Sequence, residues 1–444
     1  MQLRPQHPSR RAMRAGGGIV LVISAACGGT SAGPGGDGTG VRPVAPEGPD
    51  AGVAVTWNEL GWEVAYAEDQ FLTFKGQRAL ALMNLAMHDA LNTIDPVYER
   101  YAHDGEVREA AAGLAAAQGA HAILSSLYPA AGARLDSALA VQRGSVPEAA
   151  RAAAIELGTA AAQAVLRSRE GDGWDAPGTY EFVRGAGRYQ TTPEWNGFVL
   201  QPGFRTARPF ALGSASAFRP PPPPDLASGR YAEAWEEVKL QGMKQSAVRT
   251  PDQTAYAVWW MEFAEGSVNR LVRRMVLERG LGLWPAVRLF AHMHMALYDA
   301  YIATWDSKYE YDHWRPLTAI RSASADGNGA TEPEEAWESL LPAPPFPEYV
   351  SAHAAGCAAS FAVVGSAFGD DTPFVMTTIT APAEMPERSF AGFRAAAEEC
   401  ADSRVQLGWH FRYSTEAGLE LGRRVAAHVL ETQLRPTAQR ARGE

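Results

Sequence analysis

Ala79-Leu-Ala-Leu-Met-Asn-Leu-Ala-Met-His-Asp-Ala-Leu-Asn92 decides how this chain folds. Apolar residues run nearly all round its helical period, so the segment has no face to offer to water and must be a buried helix. A helix enclosed on every side needs other helices about it, and the sequence supplies them. Helical patterns, many alanine-rich, cover 106–127, 147–169, 231–241, 252–279 and 285–305. No segment shows a convincing strand alternation. The expected fold is all-α, two packed helical bundles in one compact unit, with the candidate site in the C-terminal bundle.

A faint internal echo supports two related bundles: Ala86-Met-His-Asp89-Ala90 returns as Ala296-Leu-Tyr-Asp299-Ala300. Between them, 171–219 is rich in Gly, Pro and aromatics and reads as a long ordered connection. It closes on Pro220–Pro224, expected to be a stiff, extended spacer. The expected division is therefore 53–219 for the N-terminal bundle and connection, 220–227 for the proline-rich linker, 228–432 for the C-terminal bundle, and 433–444 for a tail.

Ahead of these, Arg4, Arg10, Arg11 and Arg14 precede an apolar stretch that ends Ser24-Ala25-Ala26-Cys27. Residues 1–27 thus read as an export signal, too short in its apolar part to span a bilayer. Cys27-Gly28-Gly29 and the Gly/Pro-rich tether 28–52 resemble a bacterial lipoprotein start with a lipid anchor at Cys27, although Ser24 departs from that pattern. Plain export and lipidation both remain open. In either case the mature protein is expected outside the cytoplasm, periplasmic or membrane-anchored.

The net charge of −10 over 444 residues offers no basic surplus for nucleic acid, so any anion site must be a local island of positive charge. Three cysteines are too few for a disulfide framework. Cys357 and Cys400 could pair in an oxidising compartment, but their alanine-rich helical surroundings favour two small buried hydrophobes.

Three short motifs hold the chemistry. Pro342 to Pro347 excludes regular helix, whereas the run from Ala354 is plainly helical, which puts Ser351 at the N-cap with Ala352 and His353 following. First-turn amides and the helix dipole favour an anion there. Lys308 and Arg315-Pro316 precede this motif, and Lys308 and Arg315, seven apart, share a face if helix continues between them. Ser403-Arg404 follows it, with His410 beyond Gly408. Taken singly, these are a capped helix, a charged face and a half-buried histidine. His313, between Lys308 and Arg315, is a further residue within reach of such a pocket. His88, His292 and His294 read as ordinary helix residues.

In this order and spacing the motifs resemble the vanadium-dependent haloperoxidases and the related type 2 phosphatidic acid phosphatases. That pattern has a lysine separated by six residues from Arg-Pro, then Pro-Ser-Gly-His, then Ser-Arg with a histidine six residues after the arginine. The Phe346-Pro-Glu-Tyr lead-in and the Phe218-Arg-Pro-Pro-Pro run look like the bacterial haloperoxidase-like branch. The resemblance implies that Lys308, Arg315, Ser351, the Ala352 amide and Arg404 bind vanadate (or phosphate in the same place). It implies that His410 is bonded to vanadium, or is the nucleophile towards a phosphoryl group. His353 would be the acid–base residue. The implied activity is oxidation of halide by hydrogen peroxide, with an organic acceptor. The alternatives are hydrolysis of a phosphate ester and a non-catalytic oxyanion-binding lipoprotein. Val350 and Ala352 stand where the family prefers proline and glycine. Ser414 stands where an aspartate usually orients the second histidine, a change expected to weaken the phosphatase reading.

Overall fold

In the computed structural model, which describes residues 50–107 and 109–438, the stretch 79–92 lies within α2 (Lys75–Ile94), and every residue from Gly76 to Thr93 is buried. The export signal, Cys27 and most of the tether fall outside the described residues. Helices α1 (Gly52–Asp69), α3 (Ala112–Leu127), α4 (Gly132–Gly144) and α5 (Glu148–Ser168) complete the bundle around α2. After the connection come α6 (Gly229–Gly242), α7 (Pro251–Trp259), α8 (Ala264–Glu278), α9 (Leu283–Tyr311) and α10 (Pro316–Arg321). The chain continues with α11 (Ala352–Phe368), α12 (Phe393–Gln406) and α13 (Arg412–Thr432). Central to this second group is α9, which packs against α11 and α13 and, on another side, against α2. One hydrophobic core therefore runs through both bundles.

The echo seen in sequence has a structural cause. The Asp89 carboxylate on α2 accepts hydrogen bonds from the backbone N–H groups of Tyr101, Ala102 and His103 at 2.7–2.9 Å. On α9, Asp299 accepts from Phe210, Ala211 and Leu212 at 2.6–3.1 Å. Each core helix thus spends one buried carboxylate on three consecutive amides of an incoming loop, satisfying donors that would otherwise be stranded. Burial pushes both carboxyls up to about 6, opposed by the amides that hold them.

Two features differ from expectation. A short antiparallel hairpin, β1 (Phe374–Thr377) and β2 (Glu387–Phe390), pairs Phe374 with Phe390. Four-residue strands are too short for a period of two to show. The proline run is also not a free spacer. Tyr311 Oη donates to the Pro220 carbonyl (2.6 Å) and Tyr349 Oη to that of Pro221 (2.9 Å), binding the run to the second bundle.

The connection is ordered, as expected, and lies across the second bundle. The Leu200 amide donates to the Pro345 carbonyl (2.8 Å) and Trp195 Nε1 to that of Ala343 (2.7 Å). Helices α11 and α13 approach closely because small residues line their contact: a Cβ on Gly422 would lie 2.2 Å from the Ala355 carbonyl oxygen. Among the described residues no helix is long and apolar enough to cross a membrane.

Candidate functional site

Lys308 lies in the last turn of α9, which stops at Tyr311 when Asp312 turns left-handed (φ 52°). The chain runs on in extended form to Arg315, the N-cap residue of α10, with Pro316 at its first position. Lys308 and Arg315 therefore do not share a helical face, as seven-residue spacing suggested; the turn at Asp312 brings them together instead. Both lie over the Phe346 ring, at 4.9 and 4.8 Å from its centroid. Ser351 is the N-cap of α11, its Oγ accepting from the Ala354 amide at 3.4 Å, and Ala352 is the first helical residue. Ala352 needs no positive φ, so its Cβ is tolerated where the motif prefers glycine. Arg404 lies in the last turn of α12, and Gly408 (φ 76°) turns the chain so tightly that a Cβ would lie 2.6 Å from the Gly242 carbonyl oxygen. That turn carries His410 back under Arg315.

His410 is the meeting point. Its Nδ1 lies 2.7 Å from Glu348 Oε1, and its Nε2 lies 3.2 Å from Arg315 Nη1. Glu348 Oε1 also accepts from the Phe411 amide at 3.1 Å. When Glu348 is ionised it accepts the Nδ1 proton, and Nε2 then carries the lone pair. Burial depresses the His410 pKa well below the ordinary imidazole value, and the charges of Arg315, Lys308 and Arg404 depress it further. The ring is therefore neutral, with its basic nitrogen aimed among the cations.

The cations themselves are stripped of counter-charge. Lys308 Nζ donates to the carbonyls of Pro347 (3.0 Å) and Glu348 (2.9 Å). Arg315 donates to the carbonyls of Phe346 and Trp409, both at 3.0 Å. Arg404 donates to Ser403 Oγ and the Trp260 carbonyl, both at 2.9 Å. All three are buried, and burial lowers Arg315 to about 10, Arg404 to about 9 and Lys308 well below the ordinary lysine value. One carboxyl, Glu348, stands against them, and its own burial pushes it up to about 7 despite the pull of Arg315 and Lys308. Uncompensated buried charge is costly, so an added anion would stabilise this cluster.

Some polar atoms of the cluster are left unused. Arg315 Nη2, His353 Nε2 and Glu348 Oε2 are buried without a hydrogen-bond partner. His353 projects from the first turn of α11, where the leading amides have no intrahelical acceptor. Burial, and then Arg404, hold its pKa well below the ordinary value, against the pull of the Trp260 carbonyl. Donors from two arginines, a lysine, a serine hydroxyl and a helix N-terminus, with one lone-pair nitrogen, fit a tetrahedral oxyanion such as vanadate or phosphate.

Every candidate site residue read from the sequence, Lys308, Arg315, Ser351, Ala352, His353, Arg404 and His410, is drawn into this one region. His313 is not part of it: its Nε2 lies 2.7 Å from Tyr413 Oη. Glu348 went unrecognised, although a lone carboxylate inside a proline- and aromatic-rich lead-in was the signal. It takes the orienting role that Ser414, 3.5 Å from His410 Nδ1, fills poorly. Cys357 and Cys400 are not two separate hydrophobes but a disulfide joining α11 to α12, each one turn from a site residue. Helical composition conceals such a bond because pairing depends on how two helices face each other.

The chain is similar to known proteins in sequence and in structure. Residues 288–438 match the family model of the second helical-bundle domain of vanadium chloroperoxidase. Over 145 residues the chain is 31% identical to vanadium chloroperoxidase of Curvularia inaequalis, an alignment covering 27% of this chain and 23% of that protein. In structure it is similar to a bacterial vanadium-dependent iodoperoxidase (TM-score 0.75, 22% identity, 89% of this chain and 99% of that chain). It is similar also to a holo-type bacterial vanadium-dependent chloroperoxidase (TM-score 0.65, 18% identity, 88% and 94% of the two chains).

Proposed function

We propose, for a chain that belongs to the vanadium-dependent haloperoxidase-like family, that it is an enzyme holding vanadate and oxidising halide with hydrogen peroxide. The observation that carries this reading is the contact between His410 and Glu348. Glu348 holds the Nδ1 proton at 2.7 Å, leaving Nε2 as a ligand atom beside Arg315. Lys308, Arg315 and Arg404, together with the Ser351 hydroxyl and the Ala352 amide, would bind the oxyanion's oxygens. Bound vanadate would supply Lewis acidity that activates peroxide without any change in the metal's oxidation state. The chain's own work is positional and electrostatic. The buried cations hold negative charge in a site largely closed to water, where each contact is stronger than in solvent. His353, neutral and unpartnered at Nε2, is placed to take up or return a proton.

A second reading draws on the same contact. A phosphatase of this superfamily needs a carboxylate to orient its histidine nucleophile, and Glu348 provides one where Ser414 does not. Either activity would belong to an exported protein, which is the location we propose from the basic and apolar start of the chain.

One purified sample decides between the two. After loading with orthovanadate, bromination in the presence of peroxide and bromide is measured beside hydrolysis of an aryl phosphate. Bromination is expected. Hydrolysis without bromination would replace the first reading by the second. Neither activity, with phosphate still bound, would leave an oxyanion-binding protein.

A further inference from the structure

Directly behind the acid–base histidine lie two cysteines that the proposed chemistry does not use. Cys357 stands one turn after His353 on α11, and Cys400 one turn before Arg404 on α12. A ring nitrogen of His353 and the sulfurs of Cys357 and Cys400 all lie within 4.8 Å of one another. Both cysteines are buried, and His353 Nε2 has no hydrogen-bond partner. Two sulfurs and an imidazole at this spacing are the ligands of a soft-metal site with an open fourth position. In the structure the disulfide occupies the sulfurs' bonding capacity.

We propose that the reduced form of this protein binds a zinc-class divalent ion through His353, Cys357 and Cys400. A dithiol reductant supplies the two electrons: the sulfur–sulfur bond breaks, the reductant's two protons pass to Cys357 and Cys400, and the reductant leaves as its own disulfide. The ion then displaces both thiol protons to solvent and takes the imidazole nitrogen as its third ligand. Since His353 is drawn into this site, metal binding removes it from the oxyanion pocket. That consequence rests on the function proposed above; the metal site itself does not.

The test uses the full chain carrying Cys27→Ser, so that two cysteines remain. The protein is reduced with a dithiol, freed of reductant without air and titrated with Co2+. Stoichiometric thiolate-to-cobalt charge-transfer absorption is expected, abolished by Zn2+ competition and absent from the unreduced protein. Cys357→Ser and Cys400→Ser should each remove it, and His353→Gln should weaken binding and alter the cobalt ligand-field bands. Reduced protein with two titratable thiols and native circular dichroism but no charge-transfer band overturns the proposal. So does loss of helical structure on reduction, because the site requires the folded dithiol form. A band unchanged in His353→Gln removes the histidine and overturns the three-ligand site. Phosphate binding to the unreduced protein, followed by calorimetry, tests the oxyanion pocket independently.

Discussion

At the scale of the residue, Glu348 decides what His410 can be. Glu348→Gln should leave the fold intact and lower the activity by about 10–100-fold, the usual cost of losing a partner that orients a metal-binding histidine. Measured kcat/KM at matched vanadate loading checks this, and activity within a factor of two of wild type would remove Glu348 from its assigned role. Its titration gives a second test. The carboxyl is raised to about 7 in the fold from an ordinary value near 4.5. Folding therefore favours the protonated form, and the anion-free protein loses stability as pH rises between those two values. Glu348→Gln lacks that loss, so its melting temperature should gain on wild type across the same window. His410→Ala should abolish whichever activity exists; survival of either would move the site elsewhere. Of the residues concerned, seven were legible from motif spacing. Glu348 was not, because its importance comes from a contact 62 positions away in the chain, with His410.

Single elements carry the next level of evidence. The α11–α13 contact admits no side chain at Gly422, where a Cβ would meet the Ala355 carbonyl oxygen at 2.2 Å. Gly422→Ala should destabilise by about 1–3 kcal/mol through overpacking, read from denaturant midpoints. Because Ser351 and His353 start α11, the same variant should also weaken phosphate binding. The helices were readable because burial and period agree over a dozen or more residues. The hairpin β1–β2 and the Cys357–Cys400 bond were not, since both depend on which surfaces meet rather than on local pattern. The turn at Asp312 was hidden for a related reason: helix propensity continues up to it, and only a left-handed residue stops α9.

The whole molecule, at net charge −10, stores a concentrated positive site inside a negative body. Filling that site should stabilise the fold as a unit. Phosphate at 100 times its dissociation constant should add about 2.7 kcal/mol. Arg404→Ala should remove most of that gain, as calorimetric scans with and without phosphate would show. An unchanged melting temperature for wild type would mean that the cations are not waiting for an anion. The all-α architecture was legible from one enclosed helix and its neighbours, whereas the way the proline run clings to Tyr311 and Tyr349 was not.

Asp299 has a consequence for how this molecule can be divided. It sits in the half that carries the candidate site, yet the amides it holds, those of Phe210, Ala211 and Leu212, lie before the proline run. A fragment beginning at Pro220 would leave that carboxylate buried and abandoned, and would strip α9 of the face it shares with α2. Such a fragment should express as an unfolded or aggregating chain, which circular dichroism and size-exclusion chromatography would reveal. The portion that looks like a portable module is therefore a tenant: it owns the candidate site but leases its rigidity from the other half.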